Sequence, residues 1–413
     1  MGRAFTVIMS LAFLLAGCSF DLPPYEEDFI HVDSVAEAGY FGVPRFFIYT
    51  QNKKPVVDRE TEIPATLSIY GKDTSLQEKY DLTIRGRGNT SWEQIPKKNY
   101  KIEFSEKVSL LGMPQNKDWV LIPNYSDKTL IKNYIAYTLS VNLGAYYSPR
   151  GDFVELYLNG EYLGLYYLSE KIKEGKNRIN LPKDTPSFIV EIDNKYREDE
   201  QVLISNLKQP FRVHYPKNAS DEELDTLLKQ INLIENALIL STRDSTVRVS
   251  KWIDLDDYIK HFWIQEFMKN PDATFYSSVY FSWTVGKTIK MGPVWDFDIS
   301  AGGHTNDEAS SPEGWLTKDI YWNHYLFYRK QFSEQVFDFW KENRSKFLAV
   351  LDTIEQCRTR LKAAAEHNFT KWMILQEKDD LLFNSAYSSY DEAIDKAKEW
   401  FQRRIDWISK QKM

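Results

Sequence analysis

Apolar and polar residues alternate through much of the first 170 positions. Segments 45–50 (RFFIYT) and 65–70 (ATLSIY) are rich in β-branched and aromatic residues and predict strands. Segment 80–92 (YDLTIRGRGNTSW) reads as a strand running into a glycine-rich turn. In 97–104 the alternation is regular. Lys98, Tyr100, Ile102 and Phe104 share one face, and Lys97, Asn99, Lys101 and Glu103 share the other. Two more strands, 152–158 and 162–168, flank Asn159-Gly160, a pair that favours a two-residue hairpin. Before them the period changes. Asp127, apolar residues at 130, 131, 134, 135 and 139, and Gly144 predict a helix over 127–144.

Beyond residue 170 the helical period dominates. Segments 188–193 and 211–215 read as an inserted strand pair. Segment 220–240 is a helix, with Ser220 and Glu223 as a capping box. An amphipathic helix over 254–269 leads to a loop carrying Asp272. A short hairpin over 279–291 follows and ends at Asp296 and Asp298. Three or four helices fill the tail, among them 331–349, 351–367 and 391–411. The pattern predicts an α+β chain with a strand-rich lobe over 41–170 and a helix-rich lobe over 171–413.

The N-terminus has a different character. Arg3 is the only charge before an apolar run that closes on Leu15-Ala16-Gly17-Cys18. Small residues after such a run mark a secretory signal, here 1–17, and the ending resembles the bacterial lipobox. Cys18 is then the lipidated first residue of the mature chain, with 18–40 as a tether. The run is too short to span a bilayer. These features predict a lipid-anchored protein of the bacterial cell envelope, at the outer membrane or the cell surface. Once Cys18 is lipidated only Cys357 remains, so no internal disulfide is expected. Hydrophobic residues make up 43% of the chain, which predicts a globular body. The net charge of −7 leaves no basic footprint for nucleic acid.

Candidate chemistry concentrates in three places. Asp272 follows a helix and precedes a strand, in an Asn-Pro-Asp turn where an aspartate also serves as a helix stop. Asp296 and Asp298 stand two apart, so on an extended chain both carboxylates face one side and suit a hard cation. A turn or cap role is the alternative. The turn RGRGNTSW brings Arg85, Arg87, Asn89 and Ser91 together, and its glycines let backbone N–H groups approach phosphates. Lys98 shares the apolar face of its strand, where an amine needs an anionic partner. A surface lysine cluster is the other reading, with Lys101 in reserve. Helix, Asp loop, strand, turn, strand, Asp is the order of a protein kinase core. There the first Asp orients the accepting hydroxyl and the second binds Mg²⁺. The six histidines show no HExxH spacing, and no GxSxG elbow is present.

Several of these stretches point to one family. Arg87-Gly88-Asn89-Thr90-Ser91-Trp92, followed by Pro96-Lys97-Lys98-Asn99-Tyr100-Lys101, resembles the signature of the spore coat protein H (CotH) kinases. Leu110-Leu111-Gly112-Met113, Asp118-Trp119-Val120-Leu121, Asn133, Asn159-Gly160-Glu161-Tyr162 and Gly292-Pro293-Val294-Trp295-Asp296-Phe297-Asp298 fit in register over about 80–303. The resemblance implies an atypical two-lobed kinase-like fold. It also implies ATP binding with Mg²⁺ or Mn²⁺, and phosphorylation of serine on a partner protein. Other relatives act as surface adhesins, so a weakly active or inactive binding lipoprotein is the alternative. By analogy Asp272 is the catalytic aspartate and Asp296 the metal aspartate. Lys98 grips phosphate and Glu170 lies at the adenine hinge. Ser277 stands where a kinase places its metal-binding Asn, and the helix 127–144 carries no Glu to pair with Lys98.

Overall fold

The computed structural model describes residues 34–379 and 382–411. The expected signal segment, Cys18 and most of the tether lie outside the described residues. Seven strands close a barrel: β1 (Arg45–Thr50), β2 (Ile63–Tyr70), β3 (Leu76–Gly86), β4 (Tyr100–Val108), β5 (Asn116–Ile122), β6 (Gly151–Leu158) and β7 (Glu161–Glu170). Their order is β1-β2-β3-β4-β5-β7-β6. Neighbours are antiparallel except at the closure, where β1 pairs with β6 in parallel. Phe46, Leu67, Ile84, Ile102, Leu121 and Leu168 fill the lumen. Asn159 and Gly160 both take positive φ, 56° and 92°, as a two-residue hairpin turn between β6 and β7 requires.

The outer face of this barrel is not all solvent. Val120, Ile122, Leu165 and Tyr167 belong to the large core that also holds the helices. β5 through β7 are therefore buried on both sides, and β7 reads as a nearly continuous apolar run. The same geometry corrects the expected face of Lys97. Its ammonium is buried against the Pro123 carbonyl (2.9 Å), the Leu165 carbonyl (2.6 Å) and Asn368 Oδ1 (2.8 Å). Register shifts between Leu156 and Tyr157, leaving Leu163 outside the ladder. Backbone groups left by this bulge and by the end of β5 at Ile122 find partners elsewhere. Leu165 N–H donates to Asn368 (3.0 Å), and the Leu163 carbonyl accepts from Trp372 Nε1 (2.9 Å).

Helix α1 (Thr90–Gln94) occupies part of the expected glycine-rich turn, and α2 (Lys132–Leu143) begins five residues later than expected. Asp127 caps α2 by accepting from Thr129 N–H (2.9 Å) and Lys132 N–H (2.9 Å). Gly144 ends it at φ 70°. The second half, expected to be mainly helical, also contains an antiparallel sheet. Its strands are β8 (Ser187–Ile192), β9 (Val202–Ile204), β10 (Pro210–Tyr215), β11 (Val279–Thr284) and β12 (Lys290–Met291), in the order β12-β11-β8-β10-β9. Around it lie α3 (Asp221–Ser241), α4 (Leu255–Met268), α5 (Asp307–Ser310), α6 (Tyr321–Phe327), α7 (Lys330–Lys371) and α8 (Tyr390–Lys410). The capping box of Ser220 and Glu223 is present on α3. Segments 331–349 and 351–367 are one 42-residue helix, α7. Helix and strand together fit the α+β class.

Helix α4 differs most from its expected character. Eleven of its fourteen residues are buried, so it is a central helix and not an amphipathic surface one. Its polar residues are paired accordingly. Glu266 accepts from Thr317 N–H (2.6 Å) and from Arg404 of α8 (2.7 Å), and both charged side chains are fully buried. Arg404 also donates to the Glu266 carbonyl (2.7 Å) and the Gly314 carbonyl (2.7 Å). Removing one partner of a buried pair strands the other charge. Arg404→Met should therefore lower stability by about 3–5 kcal/mol in denaturant titration. The double variant Arg404→Met, Glu266→Gln should recover part of that loss.

Candidate active site

Helix α4 ends at Lys269 in the left-handed conformation, φ 45°. Asn270 Oδ1 then accepts from Asp272 N–H (3.3 Å). The Asp272 carbonyl takes the N–H groups of Tyr276 (3.1 Å) and Ser277 (3.2 Å), so the loop closes on itself. Asn270 Nδ2 reaches across to the Asp296 carbonyl (3.1 Å). Asp296 is a non-glycine residue at φ 67°, a conformation costing about 1–3 kcal/mol unless the surroundings impose it. They do so here. Asn133 Oδ1 of α2 accepts from Phe297 N–H (3.0 Å), and Asn270 holds the other side. Asp296 and Asp298 thus come together through a turn, not through the extended chain that their spacing suggests.

The three carboxylates share one electrostatic fate. Burial pushes Asp272 up to about 6, helped by the negative charge of Asp296 and opposed by Lys195 and a Ser277 hydrogen bond. Burial also raises Asp296, against the Arg87 guanidinium and Lys195. Asp298 rises to about 8, from burial first and then from Asp296 and Asp272, with Lys132 opposing. Too few cations reach these acids to keep all three ionised.

The cations nearby are only partly the expected ones. Arg87 lies over the Trp295 ring (5.5 Å) and provides the largest positive offset to Asp296. Lys98 does not face the carboxylates. It precedes β4, which starts at Tyr100, so strand parity does not fix its direction, and its ammonium donates to the Trp92 carbonyl (2.6 Å). Lys101 points out of the barrel among Glu62 (3.3 Å), Asp118 (3.4 Å) and Glu103. Burial works against its charge, but these acids outweigh it and raise its pKa. Asn89 Oδ1 accepts from Arg59 (3.0 Å) and is turned away from the acids. Ser91 is half-buried within α1, and among the described residues no contact brings it to them. Glu170 faces the barrel lumen beside Trp119, with its carboxylate held by Arg150 (2.8 Å), Arg178 and Tyr147 (2.7 Å). That side chain has no capacity left for an adenine. Ser277, expected as a metal ligand, is buried and hydrogen-bonds Asp272.

Two further lysines stand beside these acids with little local sequence signal. Lys195, at the exit of β8, stands 3.7 Å from Asp272 Oδ1 and lies over the Tyr276 ring (5.1 Å). Lys132, the first residue of α2, contacts the Asp298 carbonyl at 3.4 Å. The only signal for Lys195 is Asp193-Asn194-Lys195 at the end of a buried strand. Nothing local marks Lys132.

A scan of protein-family models matches the CotH kinase protein family over residues 84–408. This chain belongs to the CotH kinase family. No curated protein matches it. The CotH match runs past the motifs that end near residue 303 and takes in α7 and α8. That extent agrees with the dependence of α4 on Arg404. It also makes the chain kinase-like, without specifying a metal, a substrate or a location.

Among the described residues no three His, Cys, Asp or Glu side chains form a ready metal cage. Mg²⁺ commonly uses only one or two carboxylates and takes its other ligands from substrate phosphates and water. Asp296 and Asp298 suit that role because their charges are under-compensated. The raised values also fix a sign. In the metal-free protein Asp298 should favour folding at low pH. That contribution should fade as pH rises from the ordinary value of 3.8 through about 8. Melting temperature should therefore fall across this window. Mg²⁺ or Mn²⁺ should raise it at the alkaline end, and Asp298→Asn should flatten the fall.

Proposed function

We propose that this CotH-family chain is a secreted, lipid-anchored kinase. It transfers phosphate from ATP to a serine or threonine hydroxyl of a partner protein, using Mg²⁺ or Mn²⁺. The observation that carries the reading is the grouping of Asp272, Asp296 and Asp298 opposite Arg87. In this reading the barrel is the N-lobe, and the second sheet with its helices is the C-lobe. The continuous order β3-β4-β5-β7-β6, with α2 inserted between β5 and β6, supports that division.

Asp272 acts on the acceptor. A carboxyl poised near 6 is ionised at neutral pH yet basic enough to take a proton from a hydroxyl in the transition state. Lys195 limits how far that value climbs and keeps the carboxylate oriented. Arg87 brings a guanidinium to the phosphate side, where its fork matches phosphate oxygens. Asp296 and Asp298 would hold the metal, which supplies positive charge against the triphosphate when bound. The anchor belongs to Cys18. Among the described residues no helix is long and apolar enough to cross a membrane. A second reading, a CotH-like module that binds or adheres without transferring phosphate, draws on Ser277. Its hydroxyl is engaged with Asp272 where a kinase would place a metal-binding amide.

Residues 19–413 should bind ATP and label themselves with radioactive γ-phosphate in Mg²⁺ or Mn²⁺. Asp272→Ala should cut labelling at least about 100-fold, and Asp296→Ala should abolish it. Labelling that survives both substitutions removes these residues from the site. Absence of nucleotide binding in the unsubstituted protein would favour the binding-module reading.

A further inference from the structure

A cavity of about 440 Å³ lies beside Lys132. Its walls come from the start of α2, the loop 301–303, the segment 382–387 and one face of α8. None of Asp272, Asp296 and Asp298 lines it. Its size falls within the roughly 300–1,000 Å³ of small-molecule sites.

The floor carries an unusual cation. Lys132 is only 6% exposed. Among the described residues its ammonium has two contacts, the Asp298 carbonyl at 3.4 Å and the Asp127 carboxylate at 3.8 Å. Three N–H donors with so little to bond are costly in a buried place. The backbone is shaped around this group, because a Cβ on Gly303 would come within 2.3 Å of Lys132 Nζ. Lys396 and Arg403 stand at the α8 side, each in an exposed surface pair with Glu399 (2.9 Å) and Glu313 (3.4 Å), and Tyr387 and Trp400 line the wall. Of the two acids in the lining, Asp127 is shared between Lys132 and the start of α2, and Glu392 is held by Ser388 N–H and Oγ (both 2.6 Å). Lys128, also in the lining, is saturated by the carbonyls of Leu375, Glu377 and Ser385.

We propose that this cavity binds a small phosphate-bearing molecule with a flat apolar portion, separate from any nucleotide held near Arg87. The phosphate sits on Lys132, with Lys396 and Arg403 closing the charge balance from α8. The ring lies against Tyr387 and Trp400. Because Lys132 also touches the Asp298 backbone, an occupant draws positive charge away from the carboxylate group and couples the two places.

Calorimetric titration of the full chain with phenyl phosphate and with inorganic phosphate tests this. Phenyl phosphate should bind saturably and more tightly than inorganic phosphate. Lys132→Met should weaken it by about tenfold or more, the loss of one charge-assisted contact. Lys396→Glu with Arg403→Glu, two exposed positions whose change leaves the core intact, should weaken it several-fold. Arg87→Ala should leave it unchanged. Failure of phenyl phosphate to saturate overturns the proposal, as does full binding in the α8 double variant. Loss of binding in Arg87→Ala would reassign the anion to the nucleotide side. None of these readouts depends on phosphate transfer, so they stand apart from the labelling experiment.

Discussion

A buried ammonium joins the two halves of this molecule. Among the described residues Lys97 has no carboxylate partner. It is stabilised by two backbone carbonyls and the side-chain oxygen of Asn368, and burial drives its pKa well down. Asn368 belongs to the far end of α7, and Leu165 belongs to the barrel. The bulge in β7 and the end of β5 leave backbone groups that the barrel alone cannot satisfy, and Asn368 and Trp372 at the end of α7 satisfy them. Barrel and helices therefore cannot slide past one another without exposing several unpaired polar groups, each costing about 1–3 kcal/mol.

On the other wall the restraint is backbone strain. Asp296 in a left-handed conformation is supported from α2 by Asn133 and from the Asp272 loop by Asn270. These two amides tie Asp296 to the Asp272 loop through main-chain atoms. Neutral amides thus position three acids whose pKa values burial raises, an arrangement the proposed metal role would use. A purely structural cluster would instead be neutralised by its own arginines or lysines.

Local signals were legible in the amino-acid sequence wherever one element determines them. The Asn159-Gly160 hairpin, the Ser220 capping box and the loop carrying Asp272 follow from chemistry within a few residues. The family was legible from motifs in register. Failures came where a partner distant in the chain decides the outcome. Lys97 and Lys98 were assigned by strand parity. Yet β4 begins two residues after Lys98, and the outer face of the barrel near Lys97 is covered by α7. The side chain of Glu170, by its alternation with Leu168, turns into the lumen toward Arg178. Lys195 and Lys132 carry no motif. They matter only because the second sheet and α2 bring them to acids far away in sequence.

The pairing of Glu266 with Arg404 bears on how the protein is made. Helix α4 leads directly into the Asp272 loop, yet its buried carboxylate is matched by a residue about 140 positions later in synthesis. A chain growing from its N-terminus can close the barrel early, since β1 to β7 are complete by Glu170. It cannot settle α4 until α8 has left the ribosome. Partly made chains should therefore carry a folded barrel and an unformed Asp272 loop.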